Sequence, residues 1–263
     1  MTNSGTRDIA RATDICHEAG RLAMDFFQNR NALSIESKGP QDWVTKADRE
    51  VERLIRDMLA AAWPDDAVVG EEHANAAGSS GFTWVIDPID GTANFVNGIP
   101  VWCVVLAGVS EGKTRIGIIY DPNHDETFVA VRGAGASLNG NPMHVAEGVA
   151  LNAGTVAIGL SNRIDRRTFP PMIGSILDHG AKFVRNASGA ISLAYVASGR
   201  FVGYLEQYMN AWDCLAGQLM IEEAGGTVED QDAGDMIVHG GRVIAGPPQV
   251  FPELKSIAEQ HWA

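Results

Sequence analysis

Basic side chains are scarce in this chain: 20 Lys and Arg stand against 33 Asp and Glu, a net charge of −13 at pH 7. Such an acidic surface repels polyphosphate backbones and anionic lipid heads, so neither nucleic-acid binding nor membrane-surface binding is expected. If the substrate is an anion, a cation must help to hold it. Cysteine is equally sparse. Cys16, Cys103 and Cys214 lie far apart with no CxxC pair, which excludes a zinc knuckle and a complete set of disulfides. Reduced thiols in a cytoplasmic protein are the expectation. The opening MTNSGTRDIARA lacks the basic start and apolar run of a signal peptide. No apolar stretch reaches membrane-spanning length, and the run at 101–109 is strand-sized. Internal repeats and flexible linkers are missing too.

What is present is an ordinary globular balance. With 263 residues and 45% hydrophobic side chains, the chain can bury a large core as one large domain or two of ordinary size. Ile9, Ile15, Ala19, Leu22 and Phe26 recur at helical spacing and predict a helix over 7–28. Val51, Leu54, Ile55, Met58 and Leu59 predict a second over 46–63, started by Thr45 with Asp48 three residues on and stopped by Pro64. Strands are expected at 83–86, 101–109, 116–120 and 127–131, then a Gly-rich loop at 133–140 around the hairpin signal Asn139-Gly140. Beyond Gly148 strands and helices alternate: strands at 155–158, 182–184 and 201–205, helices at 171–178, 190–197 and 212–224. Short strands near Thr227 and Val243 and a final helix complete the pattern. Such alternation implies an α/β layer arrangement.

The chemistry concentrates in Gly70-Glu71-Glu72 and in Asp87-Pro88-Ile89-Asp90-Gly91-Thr92-Ala93-Asn94-Phe95. Asp87 stands where an apolar strand ends, and Pro88 biases it to an extended backbone. A tight turn then brings Asp90 to the same point, and Gly91 permits close backbone approach to a ligand. Thr92 opens a polar segment whose free N–H groups suit an anion. Carboxylates beside anion-binding amides call for a cation, and hard oxygen ligands select Mg²⁺, Mn²⁺ or Ca²⁺ over zinc. Two such ions about 3.5–4 Å apart clamp a phosphoryl group and ionise water. As separate dipeptides, Asp-Pro and Asp-Gly are ordinary turns; their combination with Glu71 favours a site.

These two segments and Trp212-Asp213-Cys214-Leu215-Ala216-Gly217, in that order and closed by Gly225-Gly226, resemble the inositol monophosphatase family over nearly the whole chain. The resemblance implies an α/β (α+β) fold, an αβαβα layered sandwich of the inositol monophosphatase / fructose-1,6-bisphosphatase type. An N-terminal half, 1–148, would carry most metal ligands, and a C-terminal half, 149–263, Asp213 and the substrate-facing residues. It also implies a Mg²⁺-dependent, lithium-sensitive phosphomonoesterase with two or three ions (Mn²⁺ as a substitute) and a homodimer. Glu71, Asp87 and the Ile89 carbonyl match the first metal site. Asp87, Asp90 and Asp213 match the second, on the leaving-group side. Thr92, paired with Asp48, matches the residue that orients the attacking water, which Glu71 helps to activate. The amides of Gly91 and Thr92 would hold phosphate. Glu206 matches a carboxylate that binds substrate hydroxyls, and Ala187, Ser188 and Gly189 match the substrate-facing loop. The implied reaction is hydrolysis of a small polyol phosphate, first myo-inositol 1-phosphate, by metal-activated water attack. Histidinol phosphate or fructose 1,6-bisphosphate as substrate, or a regulatory protein-binding role, are the alternatives.

Each residue also has a plainer reading. Asp48 suits a helix dipole, Asp213 a helix cap, and Glu206 a strand end at the surface. Lys38 in Ser-Lys-Gly-Pro either attracts phosphate or is solvated. His73 reads as structural, and Cys214 lacks a neighbouring His to make it a nucleophile. Arg163, Arg166 and Arg167 form a solvated loop or meet a second anionic group. Gly133-Ala134-Gly135 lacks the following helix of a dinucleotide fingerprint. Ala187 and Gly189 invert the Gly and Ala that many members carry, and Ser192 replaces an Asp of bacterial members, which blurs the substrate. Asn94 points back toward inositol phosphates.

Overall fold

Apolar stripes on the first two helices need a sheet to bury them, and the strands that follow are apolar on both faces. The computed structural model describes residues 7–30, 35–39 and 42–262. It begins with α1 (Ile9–Gln28), the antiparallel pair β1 (Ile35–Gly39) and β2 (Asp42–Thr45), and α2 (Lys46–Ala62). Then come β3 (Ala67–Gly70), β4 (Phe82–Asp90), α3 (Thr92–Asn97), β5 (Cys103–Ser110), β6 (Lys113–Asp121), β7 (Glu126–Val131), β8 (Gly135–Leu138) and β9 (Asn141–Pro142). The remainder runs β10 (Thr155–Ile158), α4 (Phe169–Asp178), β11 (Lys182–Val184), α5 (Gly189–Ala197), β12 (Gly203–Met209) and α6 (Ala211–Glu223). It ends with β13 (Thr227–Val228), α7 (Ala233–His239), β14 (Gly241–Gly246) and α8 (Phe251–His261).

Strands β3 to β9 form a seven-stranded sheet in chain order, and a five-stranded sheet runs β11-β10-β12-β14-β13. Alternation along the strands explains the layers. On one face of the larger sheet, Trp84, Ile86, Leu106 and Ile118 pack with Ile15 and Ala19 of α1 and with Val51 and Ile55 of α2. On its other face, Val85, Val105 and Ile119 pack with Leu193 of α5 and with Leu215 and Leu219 of α6. Tyr204, Val243 and Ala245 of the smaller sheet close that same core from below. Their neighbours Leu205 and Ile244 face Met172 and Ile176 of α4 and Leu254 and Ile257 of α8. The order helix, sheet, helix, sheet, helix is the αβαβα sandwich. Among the described residues no helix is long and apolar enough to cross a membrane.

Several elements depart from the expected boundaries. Strand β4 continues through Asp87 and Pro88 to Asp90 instead of ending at the Asp-Pro step. The Gly-rich stretch contains a strand, β8, and Asn139-Gly140 turns it into β9, both residues having positive φ (49° and 77°) as the tight hairpin demands. The strand expected at 201–205 begins at Gly203, because the amides of Arg200 and Phe201 both close α5 on the Tyr195 carbonyl. Strands β1, β2 and β3 and helix α7 had no clear periodic signal. The backbone of Lys38 lies in β1, and its side chain lies outside the described residues.

Candidate active site

Asp87 and Asp90 sit three positions apart on one strand, which in a regular ladder puts their side chains on opposite faces. The β4–β5 register slips between them: Asp87 opposes Val105, and Asp90 opposes Cys103. This one-residue bulge, not a turn, returns both carboxylates to the same face. Pro88, which has no N–H to give to a ladder, occupies the irregular step. Asp87 Oδ1 accepts the Ile89 amide at 2.9 Å, which fixes its rotamer. Strand β4 then passes through Gly91 (φ +96°), where a methyl would press on the Val101 carbonyl, into α3.

Two helix N-termini from the other half complete the cluster. Ser188 caps α5, and Asp90 Oδ2 accepts its hydroxyl at 2.5 Å and the Ala190 amide at 2.8 Å. The Cys103 thiol reaches the same oxygen at 3.8 Å. Asn210 begins α6 in a capping box with Asp213, whose Oδ2 accepts the Asn210 amide at 3.2 Å and its side-chain Nδ2 at 3.1 Å. Asp213 is therefore a cap and, through position, a cluster member. Ligand atoms of Asp87, Asp90 and Asp213 lie within 4.8 Å of one another. Burial first, then the charges of Glu71, Asp90 and Asp213, hold the Asp87 carboxyl well above the ordinary range. Burial and the Asp213 charge push Asp90 up to about 7, against the bonds from Ser188, Ala190 and Gly189. Burial also raises Asp213, opposed by its bonds to Asp87 and Asn210 and by the charge of Arg163. Buried hard oxygens with mutually repelling charges fit a hard divalent cation such as Mg²⁺, Mn²⁺ or Ca²⁺.

One face of α2 organises the opposite rim. Thr45 caps the helix, and Asp48 Oδ2 accepts the Thr45 amide at 2.8 Å and its hydroxyl at 2.6 Å. The Thr92 hydroxyl lies 3.2 Å from Asp48 Oδ1 and 3.1 Å from the Ile89 carbonyl, so one proton serves two acceptors. Burial raises the Asp48 carboxyl, and the bonds from Thr45 and Thr92 pull it back. One turn further, the fully buried Glu52 accepts the amides of Glu72 (2.7 Å) and His73 (3.2 Å) and pairs with Arg56 at 2.7 Å. Glu52 thus holds the loop that carries Glu71. It escaped the sequence reading, although a Glu four residues after Asp48 on the apolar side of a helix is a usable signal. The His73 ring is engaged by the Arg49 carbonyl at 3.0 Å and lies outside the carboxylate cluster.

A cavity of about 170 Å³ adjoins the carboxylates, lined by Asp90 and Asp213, by Ala187, Ser188 and Gly189, and by Glu206. Ala187 holds φ +60°, the left-handed conformation that glycine adopts most readily. Glu206 Oε2 accepts the Tyr204 hydroxyl at 2.5 Å, and burial lifts the Glu206 carboxyl to about 8. Asn94 does not line the cavity: its amide donates to the carbonyls of Val101 and Asn186, both at 2.7 Å, and so ties two loops together. Arg163 donates to the Tyr208 hydroxyl and stacks on its ring, while Arg166 and Arg167 pair locally with Asn162 and Asp165. Burial pushes the Cys214 thiol well up, away from the thiolate form.

Comparison with known proteins agrees with this fold. The model of the inositol monophosphatase family matches residues 6–263. The Nus factor SuhB of Haemophilus influenzae is 36% identical over 241 residues, 90% of each chain. The inositol-1-monophosphatase of Rhizobium meliloti is 34% identical over 247 residues, 92% of each. Among solved structures, the extragenic suppressor protein suhB of Bartonella henselae superposes with a TM-score of 0.90 at 33% identity, over 96% of this chain and 98% of that one. The Thermotoga maritima IMPase superposes at 0.84 with 29% identity, over 94% and 95%. Five alternating layers, two separated motifs meeting at one acidic cluster, and a match along almost the entire length make this chain a member of the inositol monophosphatase family.

Proposed function

We propose that this chain is a Mg²⁺-dependent phosphomonoesterase for small polyol phosphates, with myo-inositol 1-phosphate the first substrate. The observation that carries this reading is the group Asp87, Asp90 and Asp213, the last two of which line a cavity of about 170 Å³ together with Glu206. In this reading those three carboxylates, with Glu71 and the Ile89 carbonyl, hold two or three Mg²⁺ ions, or Mn²⁺ in their place. When bound, the ions neutralise the phosphoryl oxygens and make water nucleophilic. Asp48 and Thr92 orient the attacking water, and Glu71 helps to take its proton. The amides of Gly91 and Thr92 hold the phosphate. Residues 187–189 and Glu206 hold the alcohol. The halves 1–148 and 149–263 each supply part of the site, and the protein works in the cytoplasm as a homodimer without nucleic-acid or membrane partners. Lithium sensitivity belongs to the same reading.

Phosphate release from myo-inositol 1-phosphate, histidinol phosphate, fructose 1,6-bisphosphate and a nucleotide, with and without a chelator, tests this proposal. The inositol ester should be turned over fastest, activity should vanish on chelation, and Asp90→Asn should lower it by about 10²-fold or more. Turnover that survives both treatments sinks the metal site. A second reading is a regulatory, protein-binding role, favoured by the name Nus factor SuhB given to relatives 34–36% identical. Under that reading a cell carrying only Asp90→Asn behaves as wild type.

A further inference from the structure

Strand β12 places Tyr204 and Glu206 on one face of the smaller sheet, with Leu205 between them pointing to the opposite core. Tyr204 is buried, and its hydroxyl gives its single proton to Glu206 Oε2 at 2.5 Å. Beside them Gly159 prolongs β10, its amide donating to the Leu205 carbonyl at 2.9 Å. A methyl at Gly159 would overlap Glu206 Oε2 and the Tyr204 hydroxyl, so the pair occupies the space a side chain would need. Gly189 leaves similar room on the other side, where a methyl would come within 3.2 Å of the Tyr204 hydroxyl. Glu206 lines the cavity, and Oε1 has no hydrogen-bond partner among the described residues.

We propose that Tyr204 and Gly159 are positioning residues that set selectivity for hydroxyl-bearing phosphate esters, by fixing the plane in which the Glu206 carboxyl faces the cavity. The proposal rests on the phosphatase reading of this site. Terminal carboxylate torsions are broad and roughly two-fold, so nothing intrinsic to glutamate fixes the plane in which its carboxyl faces a ligand. The phenol does, by occupying Oε2, and the missing side chain at Gly159 lets that oxygen recede. Oε1 is then left to hydrogen-bond a hydroxyl on the leaving alcohol. An ester without hydroxyls gains nothing from the arrangement.

The test compares myo-inositol 1-phosphate with p-nitrophenyl phosphate in the full-length, magnesium-loaded protein. In Tyr204→Phe the ratio of kcat/KM for the polyol ester over the aryl ester should fall about tenfold, the value of one well-made hydrogen bond. The change should reside in KM. Gly159→Ala should shift the ratio in the same direction. In a Glu206→Gln background, Tyr204→Phe should lose most of its effect on the ratio, because the two act as a unit. Equal losses on both esters, an unchanged ratio, or additive effects in the double variant overturn the proposal. If Gly159→Ala does not fold, Tyr204→Phe and the double variant decide. A wild-type protein that turns over neither ester overturns the phosphatase reading and this inference with it.

Discussion

Glu206 carries a pH signature that a single residue can reveal. Its carboxyl moves from the ordinary 4.5 to about 8 in the folded protein, chiefly through burial, with the Tyr204 bond opposing. Between those values the folded state holds a proton that the unfolded chain has lost. Its contribution is therefore complete below 4.5 and disappears as pH rises through about 8. Metal-free protein should lose thermal stability across this window, and Glu206→Gln should flatten the curve. Thermal melts at stepped pH check it; a wild-type curve no steeper than the variant's rules it out. The residue scale is also where the sequence was most readable. Asp87, Asp90 and Glu71 stand in short motifs whose chemistry is local. Asn94 stands in the same motif, but its structural task is nonlocal, since its amide serves a carbonyl 92 positions away. That partner has no trace in the neighbouring sequence.

Elements turn those residues into a site. Helix α2 was plain from its apolar stripe and its cap, but the stripe does not say that Asp48, Glu52 and Arg56 form a polar seam along it. Glu52 is fully buried and binds two loop amides and Arg56. Glu52→Ala should cost about 3 kcal/mol, because the guanidinium and the amides are left without their partner. Glu52→Gln should cost less and should still lower phosphate release, as the Glu71 loop loosens. Denaturant titration and a turnover assay measure both. Stability within about 0.5 kcal/mol of wild type for Glu52→Ala contradicts the anchoring role. The β4 bulge makes the same point in a strand. The Asp-Pro step reads as a stop, yet the ladder absorbs it, and only pairing with β5 shows that the extra residue realigns Asp87 and Asp90.

At the scale of the whole molecule, α6 lies between the sheets and delivers Asp213. The small residues of its motif have a packing reason: a methyl on Gly117 of β6 would press on the Ala216 backbone, and one on Gly217 would overlap Leu193 of α5. Two stretches far apart in sequence therefore converge only when the layers close. A ligand that binds the closed cluster must stabilise both together. Magnesium at about 100 times its dissociation constant should add about 2.7 kcal/mol to unfolding, and a chelator should reverse it. Asp213→Asn should lose most of this gain. A melting temperature indifferent to magnesium argues against the proposed cation.

The sequence alone determined the periodic elements, the acidic balance and the short motifs that hold the candidate carboxylates, because each depends on residues near one another in the chain. Tertiary structure decided which oxygen of each carboxylate is already engaged, how a bulge aligns Asp87 with Asp90, and that Glu52 and Tyr204 hold their neighbours in place. Those outcomes depend on hydrogen bonds and steric room between distant segments, and they come into being only when the sheets and helices pack.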